Sequence, residues 1–182
     1  MGINLSMLDH GKLNEKTSLA PSGAIFDRCR EHRYLLWRCW DVSLPAVSFI
    51  MLNPSAADES KNDPTITRTI GKASELGFGR LFVVNLFAYM TKSPALLKQA
   101  PLKKRNATTN DHYIRFAIQA SDKTVLAWGN HGLFQRRHEA VLAMVEPENC
   151  YVIAVTKQGQ PRHPLYTPAG LSWLPAPLDL WS

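Results

Sequence analysis

Four apolar segments of strand length, separated by segments of helical pattern, constrain the fold of this chain more than any other feature. They are AVSFIML from Ala46, LFVVNLF from Leu81, TVLAWG from Thr124 and CYVIAV from Cys150. Continuous apolar runs of this length are typical of strands buried on both faces, and their alternation with helices favours a parallel sheet. The sequence therefore predicts an α/β fold of three layers, αβα, with a central, mostly parallel four-stranded sheet.

Helix signals fill the intervening segments. Asp63 is a suitable N-cap, Pro64 suits the first helical position, and Gly77 can end the helix in a left-handed conformation. Two further helices are predicted over residues 107–121 and 133–145.

The segment before Ala46 predicts an antiparallel strand pair at one edge of the sheet. Its strands are AIFDRCR and RYLLWRCW, joined by a tight turn at Glu31–His32. The first residues are polar and irregular, so residues 1–22 are expected to form a flexible N-terminal arm. The sequence thus predicts a single α/β domain over residues 23–182.

Charge and hydropathy narrow the class of protein. The chain has 182 residues and a formal net charge of +6, which permits a polyanionic partner without requiring one. No apolar run approaches the roughly 20 residues of a membrane span, and no basic segment leads into an apolar one as in a secretory signal. We therefore expect a cytoplasmic protein, a monomer, with no membrane partner. The basic clusters Lys103–Arg105 and Arg136–Arg137 are interpreted as solvated surface.

Cysteine and histidine spacing argues against a metal or disulfide framework. The three cysteines, Cys29, Cys39 and Cys150, are odd in number and none lies in a C-x-x-C pair. The six histidines are dispersed, without a spacing typical of metal ligands. We expect a reducing compartment, no metal and no cofactor.

Polar and turn-forming residues cluster where the predicted strands end. Ligands of open parallel sheets bind beyond the carboxyl ends of the strands, so these residues are candidates for a binding site. The candidates are Asn53, Pro54, Ser55, Asp58 and Asp63 after the first strand, Asn85 near the end of the second, Trp128, Gly129 and His131 at the end of the third, and Lys157, Arg162, His163 and Pro164 after the fourth.

Each cluster also has a purely structural interpretation. Asn53-Pro54-Ser55 is typical of a turn, and Asp63 followed by proline is typical of a helix start. Asn85 can be a buried amide, Trp128 a core residue, and His163 the cap of a loop. Their occurrence together at one predicted edge of the sheet favours a site.

The same segments resemble a known but uncharacterised bacterial and phage family, domain of unknown function 1643. The resemblance rests on MLNPSAADESKNDPTITR, VVNLFAY, AWGNHG and KQGQPRHPLY. It covers about three quarters of the chain and implies no established activity.

The order of these motifs also resembles that of the uracil-DNA glycosylase superfamily. MLNPS is similar to the motif that ends its first core strand, VVNLF to the strand whose asparagine reads the target base, and RHPLY to its His-Pro loop. TVLAWGNHG is similar to the strand in which a WG pair precedes a helix. The Asn-Pro of MLNPS is that of the mismatch-directed members, whereas the uracil-directed members have Asp-Pro at this point. The sequence also has His-Pro-Leu in place of the usual His-Pro-Ser and lacks the four cysteines of the iron–sulfur members.

The side-chain chemistry of each candidate suits one step of the base cleavage that this resemblance implies. Asn53 would position a water, Asp58 or Asp63 would act as general base, and His163 would donate a hydrogen bond to the departing base or to a phosphate. Asn85 would read a base edge.

The remaining candidates would bind substrate. Ser55 suits a phosphate, while Lys157 and Arg162 suit a nucleic-acid backbone. The predicted substrate-binding set is completed by Pro54, Trp128, Gly129, His131 and Pro164, which lie in the same motifs.

Three functions are compatible with these features. The first is a nucleic-acid-directed hydrolase that cleaves the N-glycosidic bond of a damaged or modified DNA base. The second is a nucleic-acid or nucleotide-binding module of the same fold without catalysis. The third is an enzyme acting on a small nucleoside or nucleotide.

Overall fold

The computed structural model describes residues 21–105, 109–168, 170 and 172–181 of the chain. These residues form a mixed α/β fold around one sheet of seven strands. The strands are β1 (Ser22–Phe26), β2 (Arg33–Cys39), β3 (Ala46–Met51), β4 (Arg80–Asn85), β5 (Lys123–Leu126), β6 (Cys150–Val152) and β7 (Leu174–Pro175).

The order of the strands across the sheet is β1-β2-β4-β3-β5-β6-β7. Strand β3 pairs in parallel with β4 and β5, and β5 with β6. Strand β1 pairs antiparallel with β2 at the edge of the sheet, as predicted, and β2 pairs antiparallel with β4. The sheet is larger than predicted because the C-terminal segment adds β7, which pairs antiparallel with β6.

Five α-helices and several short 3-10 helices connect the described strands. Two of the 3-10 helices cover Asn130–Arg136 and Pro164–Tyr166. The α-helices are α1 (Pro64–Glu75), α2 (Pro94–Gln99), α3 (Leu102–Arg105), α4 (Asn110–Gln119) and α5 (Arg137–Leu142).

Helices cover both faces of the sheet, and each face has its own apolar core. On one face Ile66 of α1 packs with Phe49 of β3. On the other face Ile114 of α4 and Val141 of α5 pack with Ile50 of β3. Side chains of neighbouring β3 residues therefore point to opposite layers, which is why the whole AVSFIM strand is buried.

The turn between β1 and β2 is longer than predicted. Strand β1 ends at Phe26 rather than continuing through the next residues. The reason is the Asp27 carboxylate, which accepts a hydrogen bond from the His32 backbone N–H at 2.9 Å and contacts the His32 ring at 2.9 Å. These contacts close residues 27–32 into a turn of their own.

The helix predicted over residues 133–145 begins later. Gln135 and Arg136 adopt positive φ angles of 56° and 53°, which interrupt a helical backbone, so α5 starts only at Arg137. In contrast, the predicted end of α1 is confirmed, since Gly77 has a φ of 82°.

Part of the sequence prediction lies outside the described residues. This holds for the predicted N-terminal arm, except for Pro21 and Ser22, and Ser22 is the first residue of β1. It also holds for residues 107 and 108 of the predicted helix 107–121; the described helix α4 starts at Asn110. Over the described ranges, no helix is both long enough and apolar enough to cross a membrane.

Candidate functional site

The loops that follow the four parallel strands are joined to one another at the carboxyl edge of the sheet. The loop after β4 is held to the loop after β3 by the hydrogen bond from the Thr91 N–H to the Pro54 carbonyl, at 3.1 Å. The loop after β5 is held to the loop after β6 by the bond from the Gly129 N–H to the Pro161 carbonyl, at 2.7 Å. The 3-10 helix at Pro164–Tyr166 packs against α1, which joins the two pairs of loops.

Asn53 follows β3 and is fixed through the NH₂ group of its side chain. Nδ2 donates to the Thr91 carbonyl at 3.0 Å and to the Thr91 hydroxyl at 2.9 Å, as well as to the Pro54 carbonyl. Within the described part of the chain, Oδ1 has no hydrogen-bond donor. The amide therefore presents a fixed acceptor, which suits the predicted role of holding a water molecule.

Asp58 uses its carboxylate to shape the loop between β3 and α1. Oδ1 accepts hydrogen bonds from the backbone N–H of Ser60 at 2.9 Å and of Lys61 at 2.7 Å. These bonds, the Lys61 bond above all, hold the pKa of Asp58 below its usual range. A carboxylate stabilised in this way is a weaker proton acceptor, and the role of Asp58 as a general base stays a prediction.

Asp63 caps α1 as predicted, with Oδ1 accepting from the Ile66 N–H at 2.9 Å. Its negative charge also acts on two groups from other elements, His163 after β6 and Arg33 at the start of β2.

His163 is held as a neutral imidazole. Its Nδ1 accepts a hydrogen bond from the Leu165 N–H at 3.3 Å, so the proton of the neutral ring is on Nε2. Burial lowers the pKa of His163 to about 4, against the opposing effect of Asp63. At neutral pH the ring is therefore an uncharged hydrogen-bond donor at Nε2.

Arg33 is a site residue that the sequence reasoning missed. It begins β2, which runs antiparallel to β4, so it lies beside the carboxyl end of β4, and its N–H donates to the Ala88 carbonyl at 2.9 Å. In the pairing with β1, Phe26 opposes Arg33 and Ile25 opposes Leu35, which leaves Tyr34 as an extra residue. This bulge turns the Arg33 side chain toward the α1 face, where Nη1 donates to the Ala57 carbonyl at 2.8 Å.

The Arg33 side chain is a buried cation. Burial lowers its pKa to about 10, reinforced by Arg38 and opposed by Asp63, so it stays protonated at neutral pH. The signal in the sequence is the arginine at the head of the apolar strand RYLLW. The rule that ligands bind after parallel strands does not indicate Arg33, because it begins a strand.

Asn85 is at the end of β4 and is buried. Its register neighbour on β3, Met51, and the residue two positions before it, Val83, both belong to the core on the α1 face. The Asn85 side chain therefore points toward the same face as Arg33. Its Oδ1 is buried without a hydrogen-bond partner among the described residues, so it is not the satisfied amide of the structural interpretation.

Trp128 is a core residue. Its ring is buried, and Nε1 donates to the Gln160 side-chain oxygen at 3.1 Å. The ring packs so closely on Gly132 that a Cβ at that position would lie 2.0 Å from Trp128 Cδ1. The role of Trp128 here is to join the loops after β5 and β6, and its contact with a substrate stays a prediction.

The other predicted binding residues differ in exposure. Gly129 has a φ of 69°, a conformation that glycine adopts readily. Pro54 and Pro164 are buried, Arg162 is partly buried, and Ser55, His131 and Lys157 are exposed. The structure places all of them along the carboxyl edge, and their binding roles stay predictions.

The sequence predicted that the two basic clusters are solvated surface, but one residue in each is held by contacts within the protein. Arg137 is partly buried, forms an ion pair with Asp111 and donates from Nε to the Leu86 carbonyl at 2.9 Å. Lys104 forms an ion pair with Glu31. Arg136 is exposed as predicted. The contacts of Arg137 and Lys104 fix them as structural residues.

The fold and site define an α/β protein with a cluster of polar groups at the carboxyl edge of its sheet. Over the described ranges, no three His, Cys, Asp or Glu side chains are grouped as metal ligands would be. The family described as "Protein of unknown function (DUF1643)" matches residues 33–165. The chain belongs to this family, and the matched region contains Arg33, Asn53, Asp63 and His163. No curated protein and no solved structure matches the chain.

Proposed function

We propose that the protein is a nucleic-acid-directed hydrolase that cleaves the N-glycosidic bond of a damaged or modified DNA base. The observation that carries the proposal is the neutral His163, with its proton on Nε2, under the influence of Asp63 at the edge where Asn53 also lies. The order of the motifs, similar to that of the uracil-DNA glycosylase superfamily, and the net charge of +6 also support it.

Cleavage of the C–N bond places negative charge on the departing base and positive charge on the sugar. A neutral Nε2–H donor can stabilise the base anion by a hydrogen bond without transferring its proton. Asp63 would stabilise the positive sugar or accept a proton from water, since Oδ1 is used by the helix cap and Oδ2 has no partner in the described part of the chain. Asn53 Oδ1 would orient the water, and Asn85 would read the base after it leaves the stack.

The test is the formation of abasic sites in oligonucleotides that carry a panel of modified bases, single-stranded and duplex. The wild-type protein should produce them from at least one base, and Asn53→Ala and His163→Asn should each reduce the rate by at least about a hundredfold. Arg136→Ala is the matched control, because Arg136 is exposed and, among the described residues, its side chain forms a hydrogen bond and an ion pair with Glu139 alone. The absence of product across the panel would contradict the proposal.

A specific observation favours a second function, a nucleic-acid-binding module without catalysis. The Asp58 carboxylate is used by its own loop, and β3 is followed by Asn-Pro rather than Asp-Pro. This function predicts binding that weakens steeply with salt, through phosphate contacts, and no abasic product. Measuring affinity and product formation on the same oligonucleotides separates the two functions.

A further inference from the structure

The guanidinium of Arg33 is buried with most of its hydrogen-bonding capacity unused. The side chain is 3% exposed and carries five N–H donors, of which the described residues accept one, from Nη1 to the Ala57 carbonyl. Nε is buried without a partner, and Nη2 has no acceptor among the described residues. Buried donors of a charged group are normally satisfied, so this arrangement indicates a missing acceptor.

The unused donors have the geometry of a fork. In a guanidinium, Nε–H and one N–H of Nη2 are parallel and together match the two oxygens of a carboxylate or phosphate. The Nη1 bond to Ala57 lies outside this fork and fixes the plane of the group. The loop contact therefore orients Arg33 and leaves the bidentate donor pair free.

No protein anion fills the fork in the described part of the chain. The ion pairs found there do not include Arg33. Asp63 acts on Arg33 only through space, without forming an ion pair. An acceptor from outside the described residues is the remaining way to satisfy both donors.

We propose that Arg33 binds an oxyanion of the ligand, a phosphate, through its Nε and Nη2 donors at the carboxyl end of β4. The identity of this oxyanion as a nucleotide phosphate rests on the proposed function, whereas the anion site itself rests on Arg33 alone. Because Arg33 is almost fully buried, a terminal phosphate reaches it more easily than a phosphodiester within a strand. Asn85 Oδ1, unpaired on the neighbouring strand and on the same face, offers an acceptor to the same ligand.

The direct test uses the wild-type protein. The Nε–H signals of the arginine side chains are followed by NMR while inorganic phosphate is added at constant ionic strength. The Arg33 signal should shift saturably. The Arg38 signal should not shift, because Arg38 Nε already donates a hydrogen bond to the side-chain oxygen of Asn62. An Arg33 signal that does not respond overturns the proposal.

Substitution provides a second measurement. Arg33→Lys keeps the charge and removes the fork, and it should weaken phosphate binding about tenfold or more. The matched control is Arg38→Lys, which changes another buried arginine of β2 and should leave phosphate affinity unchanged. Equal affinities of wild type and Arg33→Lys would overturn the proposal, and far-UV circular dichroism checks that each variant is folded.

The source of the phosphate is resolved with two further probes. A deoxynucleoside 5′-monophosphate carries a terminal phosphate, and a dinucleotide without end phosphates carries only a phosphodiester. We expect the monophosphate to shift the Arg33 signal at lower concentration. If neither nucleotide shifts the Arg33 signal, the ligand is not a nucleotide phosphate, even if inorganic phosphate binds.

Failure of the site and failure of the proposed function give different results. Phosphate binding at Arg33 without abasic product would contradict the proposed hydrolase function and support the anion site. The opposite result has two parts: Arg33→Lys forms product at the wild-type rate and KM, and the Arg33 signal of the wild type does not respond to phosphate. This result would contradict the anion site and support the hydrolase function.

Discussion

An arginine is buried at each end of strand β2, and both arginines contact the loop between β3 and α1. The two differ in how many of their donors have an acceptor. At the C-terminal end every nitrogen of Arg38 has an acceptor, and at the N-terminal end Arg33 has a single one. The acceptors of Arg38 are the carbonyls of Gly23, Trp37, Asp58, Glu59 and Lys61 and the side-chain oxygen of Asn62.

This difference separates a structural role from a binding role for the same residue type. Burial of a guanidinium is unfavourable unless its donors are satisfied, and it lowers the pKa of both arginines. Around Arg38 the loop carbonyls supply the compensation, so this residue holds the loop in place. Around Arg33 most donors have no acceptor among the described residues. Unsatisfied donors do not stabilise a fold, whereas a ligand site needs donors that are free to bind the ligand.

The largest effect expected from this comparison is on stability. Arg38→Met should lower the free energy of unfolding by about 3–5 kcal/mol, because it leaves several loop carbonyls without a donor. Arg33→Met should lower it by about 1 kcal/mol or less, since it loses one hydrogen bond and removes a poorly compensated buried charge. Urea unfolding measures both, and equal losses would contradict the distinction between the two ends.

A smaller effect is expected from pH, through His163, on which the charge of Asp63 acts as it does on Arg33. Its folded pKa of about 4 is below the unfolded value of 6.5, so between these values the folded state binds fewer protons. The contribution of His163 to stability should therefore be fully present above about pH 6.5. The free energy of unfolding should fall by up to about 3 kcal/mol as the pH is lowered to 4. Urea unfolding at several pH values measures this loss.

Two variants serve as controls for the pH effect. His163→Asn keeps an acceptor for the Leu165 N–H and does not titrate, so it should lose less stability between pH 6.5 and 4 than the wild type. Asp63→Asn can still cap α1 but removes the charge that raises the pKa of His163, so NMR titration should give a lower pKa. A parallel loss in His163→Asn would show that other groups cause it.

The smallest effect is expected from a third arginine, Arg30, which lies in the turn between β1 and β2 and contacts the same loop. Arg30 contacts Glu59 at 2.6 Å, but both side chains are about half exposed. Because exposed ion pairs contribute little and are screened by salt, Arg30→Ala should change stability by an amount near the experimental error. A loss comparable to that of Arg38→Met, persisting at high salt, would show that contact with the loop matters more than burial.

Much of the fold could be predicted from local patterns. The strands β3, β4, β5 and β6 and the helix α1 carry their own periodicity and caps, and Asp63 caps α1 as its sequence context indicates. Strand β7 could not be predicted because it is a two-residue segment, Leu174–Pro175, defined only by pairing with β6. The delayed start of α5 likewise depends on positive φ angles at Gln135 and Arg136 that no propensity indicates.

The candidate site could be predicted only in part, for a similar reason. The rule that ligands bind after parallel strands identifies Asn53, Asp63 and His163 as neighbours along one edge. It does not reveal Arg33, which reaches that edge because β2 runs antiparallel and contains a bulge. It also does not show that the Asp58 carboxylate is used by the N–H groups of its own loop.

The sequence by itself determined the α/β class, the central strands and the edge at which polar groups gather, since these follow from periodicity between near neighbours. Only the tertiary structure decided which polar groups are satisfied. Arg38 and Arg33 lie five positions apart in one strand, yet the loop carbonyls that accept hydrogen bonds from them are 20 to 24 positions away. Hydrogen-bond satisfaction is set by such distant pairs, and it is what distinguishes the arginine that holds the loop from the one left with free donors.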